Sequence, residues 1–293
     1  MDDAGAPLPD AMTDPLERAM AHVEANSFEP LTLAALAAVA GLSPYHFARQ
    51  FNARFGLAPM AFVRARRLGL AAGALAGPAP PALTDLAFDA GFESQEGFTR
   101  AFKRAFGVSP GRYRRDPTLS LQREPPPMSD TTPASRLTQE PTPVRKPAFR
   151  VAGVSAVFDE SNKAGIPQLW PRLTGRLPLP GQVHGGTFGV CTATGEGEGC
   201  FRYVAAVEIA PDAPVPEGLE AQTIPAQTYL VFHLDTDGSD LHQQMQAAMR
   251  EIWGERTPRS GFRLAKAPDL EVYPPGFEPD QPSHVEWWIP VEA

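Results

Sequence analysis

Two arginines at matched positions, Arg49 and Arg100, have the chemistry to read a base edge. A guanidinium donates two parallel hydrogen bonds to guanine O6 and N7, which discriminates against a wrong base by about 1–3 kcal/mol. Tyr45, His46, Ala48 and Asn52 surround the first arginine in sequence; Ser94, Gln95, Glu96, Thr99 and Lys103 surround the second. Gln95 carries an amide suited to adenine, Ala48 a methyl suited to thymine, and Glu96 an acceptor suited to the cytosine amino group. Catalytic chemistry has less support. The six histidines (His22, His46, His184, His233, His242 and His284) show no metal-ligand spacing with Cys191 and Cys200, and no nucleophile–base constellation is visible. No catalytic residue, metal or cofactor is therefore expected.

The elements that must hold these arginines are written twice. Leu36-Ala37-Ala38-Val39-Ala40-Gly41-Leu42 returns as Leu86-Ala87-Phe88-Asp89-Ala90-Gly91-Phe92, and Phe47, Arg49, Phe51, Phe55, Gly56 and Pro59 return as Phe98, Arg100, Phe102, Phe106, Gly107 and Pro110. Each copy reads as helix, tight turn, helix. A first helix starts at Thr13 or Asp14, with Pro15 in its first turn. Thr32 caps a helix over about 33–39, Gly41 supplies the positive φ of the turn, and Ser43 or Pro44 opens a helix through Phe55. Phe47, Phe51 and Phe55 make its buried stripe and leave Tyr45, His46, Ala48, Arg49 and Asn52 able to face outward. Residues 61–76 form a connecting helix weakened by Gly69 and Gly73. The second unit places helices at about 84–89 and 94–106, with Phe98, Phe102 and Phe106 inside.

Charge is unevenly spread. Residues 43–115 hold 11 Lys/Arg against 4 Asp/Glu, whereas residues 1–42 hold 1 against 7 and residues 116–293 hold 14 against 23. A basic segment in an acidic chain suits a polyanion partner. Arg64, Arg66, Arg67, Lys103, Arg104, Arg112, Arg114 and Arg115 read as phosphate contacts or solvated charges. Residues 116–146 are rich in proline, with Pro125-Pro126-Pro127, and read as a linker. No apolar run spans a bilayer, the acidic start is not a secretory signal, and Cys191 and Cys200 fit reduced thiols in a cytoplasm, a redox switch being the alternative. Beyond the linker, strand-like runs alternate with helical ones: FRVAGVSAVF, the helix KAGIPQLWPRLTGRL, GTFGVCT and CFRYVAAVEI around the glycine–acidic turn GEGEG, QTYLVFHLDT, a helix ending before Gly254, LEVYPP and HVEWWIPV. His184-Gly185-Gly186 reads as a turn. The expected order is β-α-β-β twice, giving a multidomain chain with an all-α double helix-turn-helix part (1–115) and an α+β part (147–293).

Within this frame, GLSPYHFARQFNARFGLAPMAFVRARRL and LAFDAGFESQEGFTRAFKRAFGVSPGRYRR resemble the DNA-binding domain of the AraC/XylS family of bacterial regulators. That resemblance implies two helix-turn-helix units whose recognition helices enter successive major grooves on one face of the DNA, and hence a bipartite operator of roughly 20 bp. Residues 147–293 resemble the GyrI-like effector-binding domain of multidrug-sensing regulators, through Ile224-Pro225-Ala226, the helix ending at Trp253, Glu271-Val272-Tyr273 and Glu286-Trp287-Trp288-Ile289-Pro290-Val291. This second resemblance implies a groove for a bulky, often cationic, aromatic molecule. Glu271 with Tyr273, and Glu286 with Trp288, are the carried-over candidates; Trp170, Tyr203 and Phe232 complete the set, with packing as their alternative role. Alternation puts Glu286 and Trp288 on one strand face and Val285, Trp287 and Ile289 on the other, leaving open which face lines the groove.

The expectation is a cytoplasmic, nucleoid-associated transcription regulator that binds double-stranded DNA, a small-molecule effector and RNA polymerase, with a homodimer left open by the resemblance. The alternative is a GyrI-like hydrolase, in which Glu271 and Glu286 act as an acid/base pair, or a detoxifying binder of reactive small molecules, tethered to a DNA-binding domain.

Overall fold

The computed structural model describes residues 14–120, 136–159, 162–194 and 199–292. The chain divides into two compact units between Thr131 and Thr132. Thr13, Pro125-Pro126-Pro127 and the 195–198 part of the glycine–acidic turn lie outside the described residues.

The N-terminal unit is helical: α1 (Pro15–Ala25), α2 (Leu33–Ala40), α3 (Pro44–Phe55), α4 (Pro59–Ala76), α5 (Leu83–Asp89), α6 (Gln95–Phe106) and α7 (Pro110–Arg115). Short oxygen side chains start four of these helices by satisfying an otherwise orphaned N–H. Asp14 accepts from Leu16 N–H at 2.8 Å, Thr32 from Ala35 at 3.1 Å, Ser43 from His46 at 3.2 Å and Ser94 from Gly97 at 3.1 Å. The two turns are the same structure. Leu42 N–H donates to Ala37 O at 2.9 Å and Gly41 to Ala38 O at 3.0 Å; Phe92 donates to Ala87 O at 2.9 Å and Gly91 to Phe88 O at 2.8 Å. Both glycines take a left-handed conformation, with φ 72° and 78°, which is what this helix stop requires.

Two cores follow from the two turns. One gathers Leu16, Val23, Leu36, Phe47, Phe51 and Val63. The other gathers Leu68, Leu75, Leu86, Phe98, Phe102 and Tyr113. Helix α4 serves both, giving Val63 to the first and Leu68 through Leu75 to the second, and it runs unbroken through Gly69 and Gly73. Helix α7 is too short for its periodicity to be read in advance. It is anchored by Tyr113, which meets the Phe102 ring edge-on at 5.4 Å.

The C-terminal unit is one eight-stranded antiparallel sheet with helices. Its elements are β1 (Thr142–Lys146), β2 (Phe149–Phe158), α8 (Leu169–Thr174), β3 (Gln182–Ala193), β4 (Phe201–Ile209), β5 (Glu220–Ile224), β6 (Gln227–Asp237), α9 (Leu241–Glu251), α10 (Thr257–Arg259), β7 (Asp269–Tyr273) and β8 (Pro282–Val291). The order across the sheet is β1-β6-β8-β7-β3-β4-β2-β5. The doubled β-α-β-β is there as β2-α8-β3-β4 and β6-α9-β7-β8, joined at the β3–β7 seam. Each half also lends an edge strand to the other: β1 precedes the first half but pairs with β6, and β5 precedes the second but pairs with β2.

Three expectations change, and one strand had none. Thr142–Lys146 is a strand rather than linker; as an edge strand with one partner it tolerates Pro143. β5 lacked any reading, because its side chains are mostly exposed and do not alternate. His184-Gly185-Gly186 lies inside β3, where the register shifts between Gln182 and Thr187, rather than in a turn. The helix expected to stop before Gly254 continues through it as a π turn over Ile252–Arg256, which keeps Ile252, Trp253 and Gly254 buried.

Candidate functional site

The second reading helix presents its polar residues to solvent. On α6, Phe98 and Phe102 are fully buried, while Gln95, Glu96, Arg100 and Lys103 are exposed and Thr99 is half-buried. Ser94 is committed to the cap, and Gln95 Oε1 accepts from Thr84 Oγ1 at 2.9 Å, which steadies the amide across the turn. Arg64 of α4 joins Arg100 and Arg104 around a shallow concavity of about 400 Å3, floored by Phe92 and Gly97. Three guanidiniums on one concave surface make a strong anion-attracting field.

The first reading helix differs from its expectation. Ala48, Arg49 and Asn52 are half-buried, but Tyr45 and His46 are only 8% and 4% exposed rather than outward-facing. The cause at Tyr45 is Arg49 one turn on. Arg49 Nη1 donates to Tyr45 Oη at 2.8 Å and its guanidinium lies over the ring, 5.4 Å from the centroid. The His46 ring packs beside the same tyrosine at 5.4 Å.

Some of the basic segment is spent on structure. Arg54 pairs with Asp14 and Glu17, and Arg66 with Glu24. Arg67 donates to the carbonyls of Ser27 at 2.7 Å and Glu29 at 2.6 Å, and Arg114 to Pro81 O at 2.5 Å. The acidic residues before residue 43 thus neutralise part of the charge that follows. Arg64, Arg100, Lys103, Arg104, Arg112 and Arg115 make no ion pair among the described residues, so the positive field is carried by α4, α6 and α7.

In the C-terminal unit, sheet register decides which aromatic residues meet. Thr187 pairs with Tyr273 and Gly189 with Glu271 across β3–β7; Cys191 pairs with Tyr203 across β3–β4. Since side chains alternate, Tyr203, Glu271 and Tyr273 share one face. Glu271 Oε2 accepts from Tyr203 Oη at 2.7 Å and from Tyr273 Oη at 2.9 Å. Trp170 of α8 meets Tyr273 edge-on at 5.0 Å and Tyr203 at 6.4 Å, and Phe277 lies 4.8 Å from Tyr273. A half-buried carboxylate is therefore bonded by two phenols on which Trp170 and Phe277 pack, the four rings and the carboxylate forming one cluster, the cage. Burial first, and then the Glu271 charge, hold both phenols well above the usual tyrosine range, so they remain hydrogen-bond donors to the carboxylate.

Gly189 makes this packing feasible. A Cβ there would stand 2.2 Å from Tyr203 Oη and 2.6 Å from Glu271 Oε2. Neither Gly189 nor Phe277 was among the expected residues; the available signal was a lone glycine inside a strand, which marks close approach of another group.

The remaining candidates part company with the cage. Phe232 pairs with Trp287, which pairs with Glu271, so Phe232 is on the cage face but two strands away and fully buried. Glu286 pairs with Val272 and Trp288 with Leu270, which places both on the opposite face. There Trp288 Nε1 donates to Glu286 Oε2 at 2.7 Å, and the ring packs with Phe188, Tyr229 and Lys146. Glu286 and Trp288 therefore do not line the cage. Cys191 and Cys200 are free thiols, the first buried and the second half-buried.

Paired helix-turn-helix units and a doubled β-α-β-β sheet are the two architectures joined in this chain. Residues 139–292 match the GyrI-like small molecule binding domain, and residues 36–116 match a helix-turn-helix domain. The chain belongs to the GyrI-like family and joins that domain to an AraC-type helix-turn-helix domain. It is similar to the right origin-binding protein of Escherichia coli (strain K12), 43% identical over 106 residues, which is 36% of this chain and 36% of that protein. It is similar to the transcriptional regulator BrlR of Pseudomonas aeruginosa, 31% identical over 157 residues, or 50% of this chain and 54% of that one. The chain thus spans 36% to 54% of the length of these relatives. A solved putative bacterial transcription regulation protein from Staphylococcus aureus MU50 aligns at 17% identity and a TM-score of 0.40, covering 53% of this chain and 99% of its own. No described helix is long and apolar enough to cross a membrane.

Proposed function

We propose that this protein is a one-component transcription regulator in which the N-terminal unit reads duplex DNA and the C-terminal unit, which includes β1, binds an aromatic cation. The observation that carries the sensing half is Glu271, a half-buried carboxylate held by Tyr203 and Tyr273, on whose rings Trp170 packs. Aromatic faces and a partly desolvated carboxylate attract the same ligand class, a bulky lipophilic cation. DNA reading rests on α6, where Gln95, Glu96, Arg100 and Lys103 stand exposed at the second turn. Arg49, Ala48 and Asn52 on α3 supply the first half-site. Two reading helices on one chain fit a bipartite operator of roughly 20 bp without requiring a second copy. The cytoplasm is where such a protein meets its operator and RNA polymerase.

Sensing is favoured over hydrolysis. The acid/base pair of the enzymatic reading, Glu271 and Glu286, lies on opposite faces of the sheet and so does not act on one substrate. The two similar curated proteins are named as an origin-binding protein and a transcriptional regulator. The test is to select binding sites from random DNA with the full chain, then titrate tetraphenylphosphonium into the complex. Recovery of unchanged ligand together with a shifted operator affinity supports the regulator. Ligand breakdown, or operator affinity indifferent to ligand bound by the protein, refutes it, because an effector acts only through differential affinity for two states.

A further inference from the structure

On the face of the sheet opposite the cage, metal-ligating side chains converge where β6 pairs with β8. His233 pairs with Glu286 and Asp235 with His284, so all four project from one face of two adjacent strands. His233 Nδ1 lies 3.0 Å from His284 Nε2 and 3.8 Å from Glu286 Oε1, and the three atoms all fall within 4.8 Å of one another. A tetrahedral zinc ion bound at about 2.0–2.2 Å by nitrogen and oxygen ligands sets those ligands roughly 3.3 Å apart, close to this spacing. The two imidazoles stack at 5.1 Å with 22° between their planes.

The surroundings hold two of these ligands. Asp235 Oδ1 is 2.7 Å from His284 Nδ1, so that nitrogen carries the proton and donates, leaving the Nε2 lone pair turned toward His233. A carboxylate behind a histidine is the arrangement that fixes tautomer and ring orientation at metal sites. The carboxylate ligand is held too, since Trp288 Nε1 donates to Glu286 Oε2 and leaves Oε1 for the cluster. At 3.0 Å the two nitrogens can share either a neutral N–H to N hydrogen bond or a bound cation. The charge around them selects the cation. Glu286 and Asp235 bring two negative charges, matching a divalent ion, while Asp237 nearby is already paired with Arg136 at 2.7 Å. Glu286 and His233 are half-buried and His284 is exposed, so an ion enters from solvent.

We propose that His233, His284 and Glu286 form a binding site for a divalent transition-metal cation of the zinc class, with Asp235 and Trp288 positioning two of the ligands. Two imidazoles and one carboxylate select borderline first-row ions over magnesium or calcium, which prefer oxygen donors. A fourth coordination position remains for water or a further ligand. The bound ion would tie β6 to β8. This site is independent of the Glu271 cage and of DNA reading.

The experiment uses the full chain, stripped with chelator and dialysed, and titrated with cobalt(II) and zinc(II). One cobalt per chain is expected, with visible tetrahedral d–d bands and no thiolate charge-transfer band. His233→Ala and His284→Ala should abolish the bands. Glu286→Gln, which keeps the side-chain shape and its acceptor for Trp288, should weaken binding with an unchanged circular dichroism spectrum, separating ligand loss from misfolding. Asp235→Asn should keep the stoichiometry and weaken affinity by about 10–100-fold. Absence of stoichiometric cobalt, binding indifferent to the loss of either histidine, a thiolate band, or a proton shared between the imidazoles as their sole occupant would each overturn the site.

Discussion

Replacing Glu271 by Gln removes the cage charge while keeping its shape. The carboxylate now accepts two phenol hydrogen bonds at 2.7 and 2.9 Å. A neutral amide oxygen accepts the same donors more weakly, which costs about 1–2 kcal/mol of stability at most, well inside the roughly 5–15 kcal/mol typical of a folded domain. The variant should therefore fold. Its ligand preference should change sharply. A monocation about 4 Å from a carboxylate gains roughly 4 kcal/mol at an effective dielectric of about 20. Glu271 is half-buried and shares its charge with two O–H donors, so about 2 kcal/mol is a fair working figure, or roughly 30-fold in affinity. Tetraphenylphosphonium and tetraphenylborate are near-identical in shape and opposite in charge, which isolates this term. Trp170, at 5.0 Å from Tyr273, reports binding by its fluorescence, with Trp170→Phe identifying its contribution. Glu271→Gln should weaken the phosphonium by about 30-fold and tighten the borate by a similar factor. A change of the same sign for both ions, or under about threefold for each, would refute the electrostatic reasoning.

Three further outcomes follow. Gly189→Ala drives a methyl into Tyr203 Oη and Glu271 Oε2, and overpacking should lower the melting transition of the C-terminal unit by about 1–3 kcal/mol equivalent, seen by calorimetry, together with loss of phosphonium binding. Tyr203 and Tyr273 keep their protons in the folded chain above the pH at which unfolded tyrosines ionise, so the unfolded state binds fewer protons there. Stability should be full below about pH 10 and fall above it, by up to about 1.4 kcal/mol per pH unit per tyrosine, and Tyr203→Phe should flatten that fall in alkaline denaturant melts. Arg100→Ala should cost about 1–3 kcal/mol on the selected operator and relax the preference at one position, whereas Arg104→Ala should weaken all duplexes alike and lower the salt slope by about one unit, as fluorescence anisotropy would show.

The helical half was almost wholly legible because its signals are local. Gly41 and Gly91 mark turns that only a positive φ can close, and Phe98 and Phe102 at four-residue spacing fix the buried face of α6. Tyr45 escaped that logic. Spacing puts Tyr45 and Arg49 one turn apart and able to meet, but does not decide whether Arg49 folds back over the ring or points outward. In the sheet, alternation correctly grouped Glu286 with Trp288, but only the pairing of β8 with β7 shows that they face away from Glu271. That pairing is long-range and leaves no trace in either strand. The same limit hid His233 and His284, far apart in sequence and neighbours across β6 and β8. Edge strands β1 and β5 were missed because backbone pairing holds them, and backbone pairing has no side-chain signature.

The most direct test of a regulator with two reading helices on one molecule is salt-titrated footprinting of the purified full chain on operators recovered by selection. Protection in two stretches one helical turn apart, about 20 bp in all, at one protein per site and with affinity falling steeply as salt rises, is the predicted result. A single short footprint, or binding that does not distinguish selected from random duplex at any salt, would contradict it.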